Sequence, residues 1–254
     1  MRILLYGATG TIADSVFKIV KNNQKKFKVV AATCNINYKK LEKLRIKYGI
    51  EKIGINNLKS AEKYKSLNKK INSKSFFIGN ENFSKLITND IDVIILAISG
   101  LSALNISYDI AKSGKIIGLA NKECIISLGS RLLLLAKKNK TKIIPLDSEH
   151  NSIYRLLESN SNKFKSITIT ASGGPFLNKK ISFLKNVTPD QAIKHPVWKM
   201  GRKISVDSAT MMNKALEIIE AKYLFNLNND QINAIIHPES IIHAAINFHD
   251  DTSI

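Results

Sequence analysis

Short apolar runs alternate with amphipathic stretches through the first half of the chain. Runs of four or five aliphatic and β-branched residues predict strands, and stretches with apolar residues three to four positions apart predict helices. The predicted strands are residues 3–6, 29–33, 93–97, 115–119 and 142–145. The predicted helices are residues 12–20, 38–48, 102–112 and 129–138. This alternation indicates an α/β fold with a parallel sheet covered by helices on both faces.

The second half of the chain has a different pattern. It predicts a strand over 165–170, a Gly-Gly-Pro turn, a proline-containing connector over 188–200, a long helix over 208–225 and two closing strands over 234–237 and 241–248. Such a mixture is typical of an α+β domain. We therefore predict two domains with a boundary near Pro145, one over 1–145 and one over 146–254.

Length and composition narrow the class of protein. A chain of 254 residues with 44% hydrophobic residues can bury a core. No apolar run is long enough to cross a bilayer, since the richest one, 132–136, is followed at once by two lysines. The chain passes from Met1 directly into a strand without a leader pattern, which favours a cytoplasmic location and no membrane partner. Cys34 and Cys124 lack paired spacing and are interpreted as ordinary small apolar residues.

The formal net charge of +19 is the usual signature of a nucleic-acid-binding domain. Lysine outnumbers arginine 34 to 5, however, and the lysines are scattered with asparagines through surface-like segments. Arginine forks and interleaved aromatic residues, which read nucleic acids, are scarce. We therefore interpret the charge as a solvated surface that attracts anionic phosphorylated ligands, and predict no nucleic-acid partner. Nucleic-acid binding stays as an alternative.

A glycine turn follows the first strand and opens the first helix, where a dinucleotide pyrophosphate binds in this class of fold. The turn is Gly7-Ala8-Thr9-Gly10-Thr11-Ile12-Ala13. The second predicted strand ends at residues 33–35 without the acidic residue that would bind the ribose of NAD, and Lys39 and Lys40 follow. Because no carboxylate would repel a 2′-phosphate, the sequence favours NADP over NAD.

Carboxylates near the domain boundary predict a metal site. Asp147 and Glu149 follow a predicted strand, and in extended backbone an i, i+2 pair points to one side. Hard carboxylate oxygens that converge in this way suit Mg²⁺ or Mn²⁺. Asn213 and Glu217 are four residues apart on a predicted helix, with Lys214 adjacent, so this helix can present a third carboxylate, an amide and an ammonium group to a small polar substrate.

Two connecting segments complete the candidate site. Residues 172–175, Ser-Gly-Gly-Pro, form a turn whose backbone amides can converge on an anion. Residues 195–201 contain His195, Trp198 and Met200 in a connector, which is typical of a lid. The remaining histidines lack ligand-like spacing and are interpreted as structural: His150, His237, His243 and His249.

Four strings occur in an order that resembles the 1-deoxy-D-xylulose 5-phosphate reductoisomerase family: residues 119–123, 145–151, 172–176 and 201–217. The resemblance covers essentially the whole chain. It implies a Rossmann-like doubly wound domain for NADPH followed by a catalytic domain with a metal and substrate site. The family also continues into a C-terminal helical domain, which is expected to be absent here, either because the sequence is a fragment or because the protein is shortened.

The resemblance also implies roles for individual residues. The implied metal ligands are Asp147, Glu149 and Glu217. The cofactor-binding positions are Gly7, Thr9, Gly10, Thr11, Ile12, Asn37, Asn121 and Glu123. The substrate positions are Lys122, Ser148, Ser172, His195, Trp198, Ser208, Asn213 and Lys214, with the later serines, Asn213 and Lys214 around the phosphate. Trp198 and Met200 match a flap, and Lys122, Asp147, Glu149, His195 and Glu217 form the expected catalytic set.

The implied reaction rearranges 1-deoxy-D-xylulose 5-phosphate and reduces the resulting aldehyde with NADPH to 2-C-methyl-D-erythritol 4-phosphate, in isoprenoid precursor synthesis. The implied assembly is a homodimer when the chain is full length. Ile36 stands where the family often has a lysine, which puts the 2′-phosphate contact in question. Residues 250–251 are expected to form a hairpin turn without a returning strand, which would leave the strand over 241–248 with an exposed edge.

A metal-free reductase or epimerase of the short-chain type is the alternative enzyme. Tyr108 and Lys112 have the Tyr-x-x-x-Lys spacing of that class, with Ser99 upstream. The same spacing recurs at Tyr48 and Lys52, the first pair follows too early a strand, and this alternative gives no role to the three carboxylates.

Overall fold

The computed structural model of the protein describes residues 1–68, 72–160, 163–194 and 201–254. The chain folds into two compact units, Met1–Ile144 and Pro145–Ile254. Among the described residues, no helix is both long and apolar enough to cross a membrane.

The first unit is built around a twisted sheet. Its strands are β1 (Arg2–Tyr6), β2 (Lys28–Cys34), β3 (Lys52–Ile55), β4 (Phe76–Ile78), β5 (Val93–Leu96), β6 (Ile116–Leu119) and β7 (Lys142–Pro145). Its helices are α1 (Thr11–Asn22), α2 (Tyr38–Tyr48), α3 (Leu58–Leu67), α4 (Leu104–Ala111) and α5 (Lys122–Lys138), with 3₁₀ helices at Asn80–Leu86 and Leu101–Ala103.

The strand order is that of a doubly wound fold. Across the described residues, seven strands pair in the order β4-β3-β2-β1-β5-β6-β7. The pairs of β1 with β2 and β5, of β3 with β2 and β4, and of β5 with β6 are all parallel. The order reverses between β1 and β5, and the carboxyl ends of strands at such a reversal are where this fold binds ligands. The predicted parallel α/β sheet is confirmed.

Aliphatic side chains explain why the central strands form. Leu4, Leu5 and Ile94 are completely buried, as expected for strands covered on both faces. Tyr6 is also buried, and its hydroxyl donates a hydrogen bond to the carbonyl of Phe83 at 2.8 Å. The sequence patterns missed β3, α3 and β4, because these elements are short and lie in a polar segment rich in lysine and asparagine.

A polar cluster joins α2 to α3 on the surface of the first unit. Arg45 donates two hydrogen bonds to the Glu42 carboxylate, at 2.7 and 2.8 Å, and the Tyr64 hydroxyl donates a third at 2.6 Å. The hydrogen bonds from Arg45, assisted by Tyr64, lower the pKa of Glu42 below its usual value. The cluster therefore stabilises the ionised form of Glu42.

The second unit is a small sheet with helices. Its strands are β8 (Phe164–Ala171), β9 (Ile232–Ile236) and β10 (Ala244–Phe248), with β8 in the centre, parallel to β9 and antiparallel to β10. Its helices are α6 (Ser148–Ser159), α7 (Ile181–Leu184), α8 (Pro189–Ala192), α9 (Arg202–Ala209) and α10 (Met212–Leu224), with a 3₁₀ helix at Asn229–Gln231. Apolar residues of α6 and α10, including Ile153 and Ala221, pack with β8 and β10 to form its core.

Two predictions for the second unit are wrong. The long helix over 208–225 is divided into α9 and α10, because Met211 adopts a left-handed conformation with φ +62°. The chain also returns after the turn at residues 250–251. The backbone groups of Ile246 and Ile254 form two hydrogen bonds, at 2.8 and 3.1 Å, and the Phe248 amide donates to the Thr252 carbonyl at 2.9 Å. Part of the outer edge of β10 is therefore paired.

Candidate functional site

The glycine turn lies at the carboxyl end of β1, where the strand order reverses. Gly7 has φ +85°, and a Cβ atom there would lie 2.5 Å from the Ala97 carbonyl oxygen, so the turn requires glycine. Thr33, at the end of β2, accepts hydrogen bonds from the amide of Gly7 at 3.2 Å and from the amide of Ala8 at 2.7 Å. The turn is therefore fixed by both neighbouring strands.

Gly10 has no such internal constraint. It precedes α1 with φ −88°, and the nearest atom to a Cβ at this position would be the Gly7 carbonyl oxygen at 3.6 Å. The fold itself would accept a side chain there. A glycine leaves space for a ligand against the start of α1, where Thr11 and Ile12 are exposed, and this space fits a pyrophosphate.

Two of the predicted cofactor residues cap helices. Asn37 caps the amino end of α2 and accepts a hydrogen bond from the Lys40 amide at 3.0 Å. Asn121 is buried at the start of α5, accepts from the Cys124 amide at 2.7 Å, and donates to the carbonyls of Ile98 at 2.7 Å and Gly100 at 2.9 Å. Asn121 thus shapes the loop after β5, close to the carboxyl end of the sheet.

Lys122, Glu123 and Lys40 also lie at this end of the sheet. Lys122 is the first residue of α5 and is buried, while Glu123 follows it and is half-buried. The Lys40 ammonium lies 3.3 Å from the Thr9 carbonyl oxygen and 2.6 Å from the Asp14 carboxylate. A cationic side chain therefore lies beside the glycine turn.

Three predicted carboxylates converge in the second unit. Asp147 precedes α6, Glu149 is the second residue of α6, and Glu217 lies in the middle of α10. One carboxylate oxygen from each residue lies within 4.8 Å of the other two. The side chain of Glu217 is only 1% exposed, and those of Asp147 and Glu149 are 15% exposed. This set of hard oxygen donors fits Mg²⁺ or Mn²⁺.

The route to this convergence differs from the sequence prediction. Asp147 and Glu149 were expected to share one side of an extended segment, but α6 begins at Ser148. Asp147 is extended, with φ −61° and ψ 138°, and its side chain makes no capping hydrogen bond. Helix geometry then turns Glu149 back toward Asp147, and both acids lie at the amino end of α6, which stabilises negative charge.

Lys214 and Asn213 bind the carboxylates from the first turn of α10. The Lys214 side chain is 6% exposed, and its ammonium lies 2.9 Å from Glu149 and also contacts Glu217. The Asn213 amide donates to Glu217, four residues further along the helix. The Asn213 carbonyl oxygen is buried and lacks a hydrogen-bond partner among the described residues, so the site also contains an oxygen available to a ligand.

His150 lies directly beneath the carboxylates, where sequence analysis assigned only a structural role. Its side chain is completely buried. Nδ1 lies 3.1 Å from the Asp147 carboxylate and 3.5 Å from the Glu220 carboxylate, and Nε2 lies 2.9 Å from the Glu217 carbonyl oxygen. Glu220 is 2% exposed. The sequence signal for Glu220 was its spacing of three residues from Glu217, which places the two residues on the same face of α10.

The three carboxylates, Asn213 and Lys214 line a pocket of about 330 Å³ in the second unit. The predicted residues that line it are Asp147, Ser148, Glu149, Ser172, Ser208, Asn213, Lys214 and Glu217. The pocket is also lined by residues that the sequence did not predict: Thr170, Ala171, Ile204, Met211, Ser240 and His243. His243 was interpreted as structural, and its place at the pocket follows from the pairing of β10 with β8.

The turn over 172–175 meets the end of α9 in this pocket. Gly174 has φ +70°, and a Cβ atom there would lie 2.7 Å from the Ser208 carbonyl oxygen. Only glycine allows this approach, which brings Ser172 and Ser208 to the same pocket. The Ser172 hydroxyl accepts a hydrogen bond from the Gly174 amide at 3.3 Å, which fixes the turn locally.

The expected lid, with His195, Trp198 and Met200, lies outside the described residues. Tyr108 and Lys112, which the alternative enzyme class would use, lie on α4 and at its end, with Tyr108 36% exposed.

Comparison with known proteins gives consistent matches along the chain. A family model described as 1-deoxy-D-xylulose 5-phosphate reductoisomerase matches residues 3–129, and one for the C-terminal domain of the same enzyme matches residues 143–225. The reductoisomerase of Pelagibacter ubique is 43% identical over 99% of this chain and 66% of its own length. That of Clostridium novyi is 39% identical with the same coverage. The chain thus spans just under two thirds of the length of these relatives.

Solved structures agree with these matches. A reductoisomerase in complex with NADPH, fosmidomycin and magnesium superposes with a TM-score of 0.93 at 33% identity, over 100% of this chain and 65% of that one. The enzyme from Zymomonas mobilis in complex with NADPH superposes with a TM-score of 0.87 at 31% identity, with the same coverage.

Proposed function

The chain belongs to the 1-deoxy-D-xylulose 5-phosphate reductoisomerase family, and we propose that it converts 1-deoxy-D-xylulose 5-phosphate to 2-C-methyl-D-erythritol 4-phosphate with NADPH and Mg²⁺ or Mn²⁺. The observation that carries this proposal is the convergence of Asp147, Glu149 and Glu217 within 4.8 Å, in a pocket that also contains an amide and an ammonium group. The alternative short-chain reductase has no use for these carboxylates.

The three carboxylates are the proposed metal ligands. A divalent cation held by them supplies Lewis-acid stabilisation of the negative charge that develops on substrate oxygens during the rearrangement. The protein fixes the positions of these carboxylates, because two lie at the amino end of α6 and the third is held by Asn213 and Lys214.

The polar groups around the carboxylates form the proposed phosphate site. Ser172, Ser208, Asn213 and Lys214 can each donate a hydrogen bond to a phosphate oxygen. Asn213 and Lys214 donate to carboxylates in this structure, but an amide has two N–H donors and an ammonium has three, so both can also donate to a phosphate oxygen. Binding energy from the phosphate, which does not react, would then help to orient the reacting carbons.

The glycine turn of the first unit is the proposed NADPH site. Gly7, Gly10 and the exposed start of α1 would hold the pyrophosphate, with Thr9, Thr11, Ile12, Asn37, Asn121 and Glu123 around the cofactor. Lys122 is proposed to contact substrate and, with His195 and the three carboxylates, to complete the catalytic set. No carboxylate stands at the end of β2, so we expect NADPH to bind more tightly than NADH. Ile36, which replaces the family lysine, should make this difference in affinity smaller.

A homodimer of the full-length chain, in the cytoplasm, is the proposed form of the enzyme. Four exposed isoleucines at and after β9 support self-association: Ile235, Ile236, Ile241 and Ile242, which are 53%, 53%, 78% and 57% exposed. Light scattering after size-exclusion chromatography tests the assembly, and a monomer at micromolar concentration would contradict it.

The decisive test is NADPH oxidation by purified protein given 1-deoxy-D-xylulose 5-phosphate. Turnover should require Mg²⁺ or Mn²⁺ and should stop after chelation. Asp147→Asn and Glu217→Gln should abolish turnover while NADPH affinity, measured by fluorescence titration, stays within twofold of the wild type. Asp230→Asn, which changes an exposed carboxylate in the same unit, is the matched control and should keep full activity.

Three results would contradict the proposal. Metal-independent turnover would exclude the carboxylates as a metal site. A large loss in Tyr108→Phe would support the short-chain mechanism instead. Tighter binding of NADH than of NADPH in the same titration would refute the coenzyme assignment.

A further inference from the structure

The end of β2 is uncharged at the place where NADPH and NADH differ. In a doubly wound fold, the residues after the second strand face the 2′ position of the adenosine ribose, which has a phosphate in NADPH and a hydroxyl in NADH. Residues 35–37, between β2 and α2, carry no charge, and Ile36 among them is 60% exposed. A group that separates the two coenzymes by charge must therefore reach this place from another element of the first unit.

Lys40 reaches this place from the first turn of α2. Its ammonium lies 3.3 Å from the Thr9 carbonyl oxygen, within the glycine turn. The turn is tied to the end of β2, because Thr33 accepts hydrogen bonds from the amides of Gly7 and Ala8. The ammonium therefore lies where the turn that would hold the pyrophosphate meets the strand end that would face the ribose.

The start of α2 holds Lys40 in this direction. Asn37 caps the helix and accepts a hydrogen bond from the Lys40 amide at 3.0 Å, which fixes the backbone from which the side chain extends. The Lys40 side chain is 32% exposed, so its ammonium is accessible to an anion from solvent. An ammonium has three N–H donors, and the Thr9 carbonyl and the Asp14 carboxylate accept two of them.

Asp14 weakens the attraction of this ammonium for a further anion. Its carboxylate, in the first turn of α1, lies 2.6 Å from the Lys40 ammonium and is 59% exposed. Such an exposed pair contributes little to stability, so the carboxylate can turn toward solvent at small cost. A phosphate monoester carries about −1.5 to −2 charges and three acceptor oxygens near pH 7, and is therefore a stronger partner for an ammonium than one carboxylate.

We propose that Lys40 is a specificity-determining residue of the coenzyme site, which favours NADPH over NADH by donating a hydrogen bond to the 2′-phosphate. This inference rests on the proposed function, because it takes the glycine turn as the coenzyme site. Asp14 acts in the opposite direction, since its carboxylate neutralises the ammonium and repels the phosphate. Removing each of the two charges should therefore change the coenzyme preference with opposite sign.

The test is equilibrium binding of NADPH and NADH to the purified protein, measured by fluorescence titration. Lys40→Met keeps the apolar stem and removes the charge. We expect NADPH affinity to fall by about tenfold, as for the loss of a hydrogen bond to a charged group, and NADH affinity by less than about threefold. Asp14→Asn should strengthen NADPH binding by about threefold, the size of an exposed ion pair, and NADH binding by less. Lys47→Met, at the exposed far end of α2, is the matched control and should leave both affinities unchanged.

Two coenzyme fragments separate a phosphate contact from a general effect on the glycine turn. Adenosine 2′,5′-bisphosphate contains the 2′-phosphate, adenosine 5′-monophosphate lacks it, and neither contains nicotinamide. Isothermal titration calorimetry should show that the wild type binds the bisphosphate more tightly, and Lys40→Met should reduce this advantage by about tenfold. A purely structural role of Lys40 would lower both affinities equally and would overturn the inference.

The remaining outcomes also decide between explanations. Because the pair of Lys40 and Asp14 is partly exposed, both variants should fold and should unfold at nearly the wild-type urea concentration. A Lys40→Met protein with the wild-type ratio of NADPH to NADH affinity would contradict the inference, and a loss of that ratio in Lys39→Met alone would assign the role to Lys39. A wild type that binds neither coenzyme would contradict the proposed coenzyme site as well. A wild type that prefers NADPH through Lys40 but does not turn over the sugar phosphate would contradict only the proposed reaction.

Discussion

Replacing Lys214 with methionine should make the stability of the protein strongly dependent on divalent cations. The Lys214 ammonium lies 2.9 Å from Glu149 and also contacts Glu217, and the side chain is only 6% exposed. At an effective dielectric constant of about 20, one such pair is worth about 6 kcal/mol before desolvation is subtracted. Methionine keeps the apolar stem and removes the charge, so the carboxylates lose this cation.

The expected loss follows from the cost of leaving buried charge unpaired. Removing one partner of a buried ion pair typically costs about 3–5 kcal/mol, and we expect this loss for Lys214→Met in chelating buffer. A divalent cation neutralises the same carboxylates. With Mg²⁺ at about 100 times its dissociation constant, binding stabilises any folded form by about 2.7 kcal/mol. The variant should bind the cation at least about tenfold more tightly than the wild type, which recovers about 1.4 kcal/mol more.

Urea unfolding with and without Mg²⁺ measures both quantities. Lys203→Met is the matched control, because Lys203 forms a pair with Asp207 at 2.7 Å on α9 but is 53% exposed. Its loss should stay below about 1 kcal/mol and should not depend on Mg²⁺. If Lys214→Met lost the same stability in chelator and in Mg²⁺, the lysine and the cation would not neutralise the same carboxylates, and the reasoning would be refuted.

Three further outcomes concern the first unit. Gly7→Ala should lose at least about 2 kcal/mol of folding stability and should weaken NADPH binding, because the new Cβ would lie 2.5 Å from a carbonyl oxygen. Gly49→Ala is the control, because Gly49 has φ +61° but no atom within 4 Å of the new Cβ. It should lose about 1 kcal/mol of stability and bind NADPH normally. Glu42→Gln should cost about 1 kcal/mol near pH 7. Hydrogen bonds from Arg45 lower the pKa of Glu42, so this contribution is present above the unfolded value of 4.5 and is lost as the pH falls through the folded value. Thermal unfolding of the wild type and of Glu42→Gln across pH 3–7, roughly the range of carboxylate titration, should therefore show that their stabilities converge as the pH falls. A difference in stability that stays constant with pH would contradict this. Burial raises the pKa of the Cys34 thiol to about 12, so iodoacetamide should label it at pH 8 only after unfolding, as mass spectrometry would show.

The sequence predicted the strands whose residues are nearly all aliphatic. Residues 3–6 and 93–97 were identified because both faces of such strands are buried, and buried strands read as continuous apolar runs. Strand β3 was missed because Lys52–Ile55 contains only three apolar or small residues after a lysine. The helix over 208–225 was predicted without its break, since the apolar spacing continues across Met211 and only the backbone angle there departs from helical values.

The candidate site was predictable where it depends on local spacing. The string that contains Asp147 and Glu149 offered two of the three carboxylates, the helical spacing of Asn213 and Glu217 offered the third, and the resemblance assigned all three as metal ligands. The contact between His150 and Glu220 could not be read from the chain, because the two residues are 70 positions apart and meet only when α6 and α10 pack on the same sheet. His243 reaches the pocket for a similar reason, through the register of β10 on β8.

The left-handed residue between α9 and α10 means that, at the proposed phosphate site, part of the attraction for anions would come from the main chain. A continuous helix would have its positive end far from this place, whereas the break starts a new helix at Met212, beside the pocket residues Asn213 and Lys214. No side-chain substitution removes a helix dipole. Alanine scanning of the pocket would therefore leave a residual affinity for phosphate. Replacing backbone amides with esters in the first turn of α10 is the chemistry that could reveal this main-chain contribution.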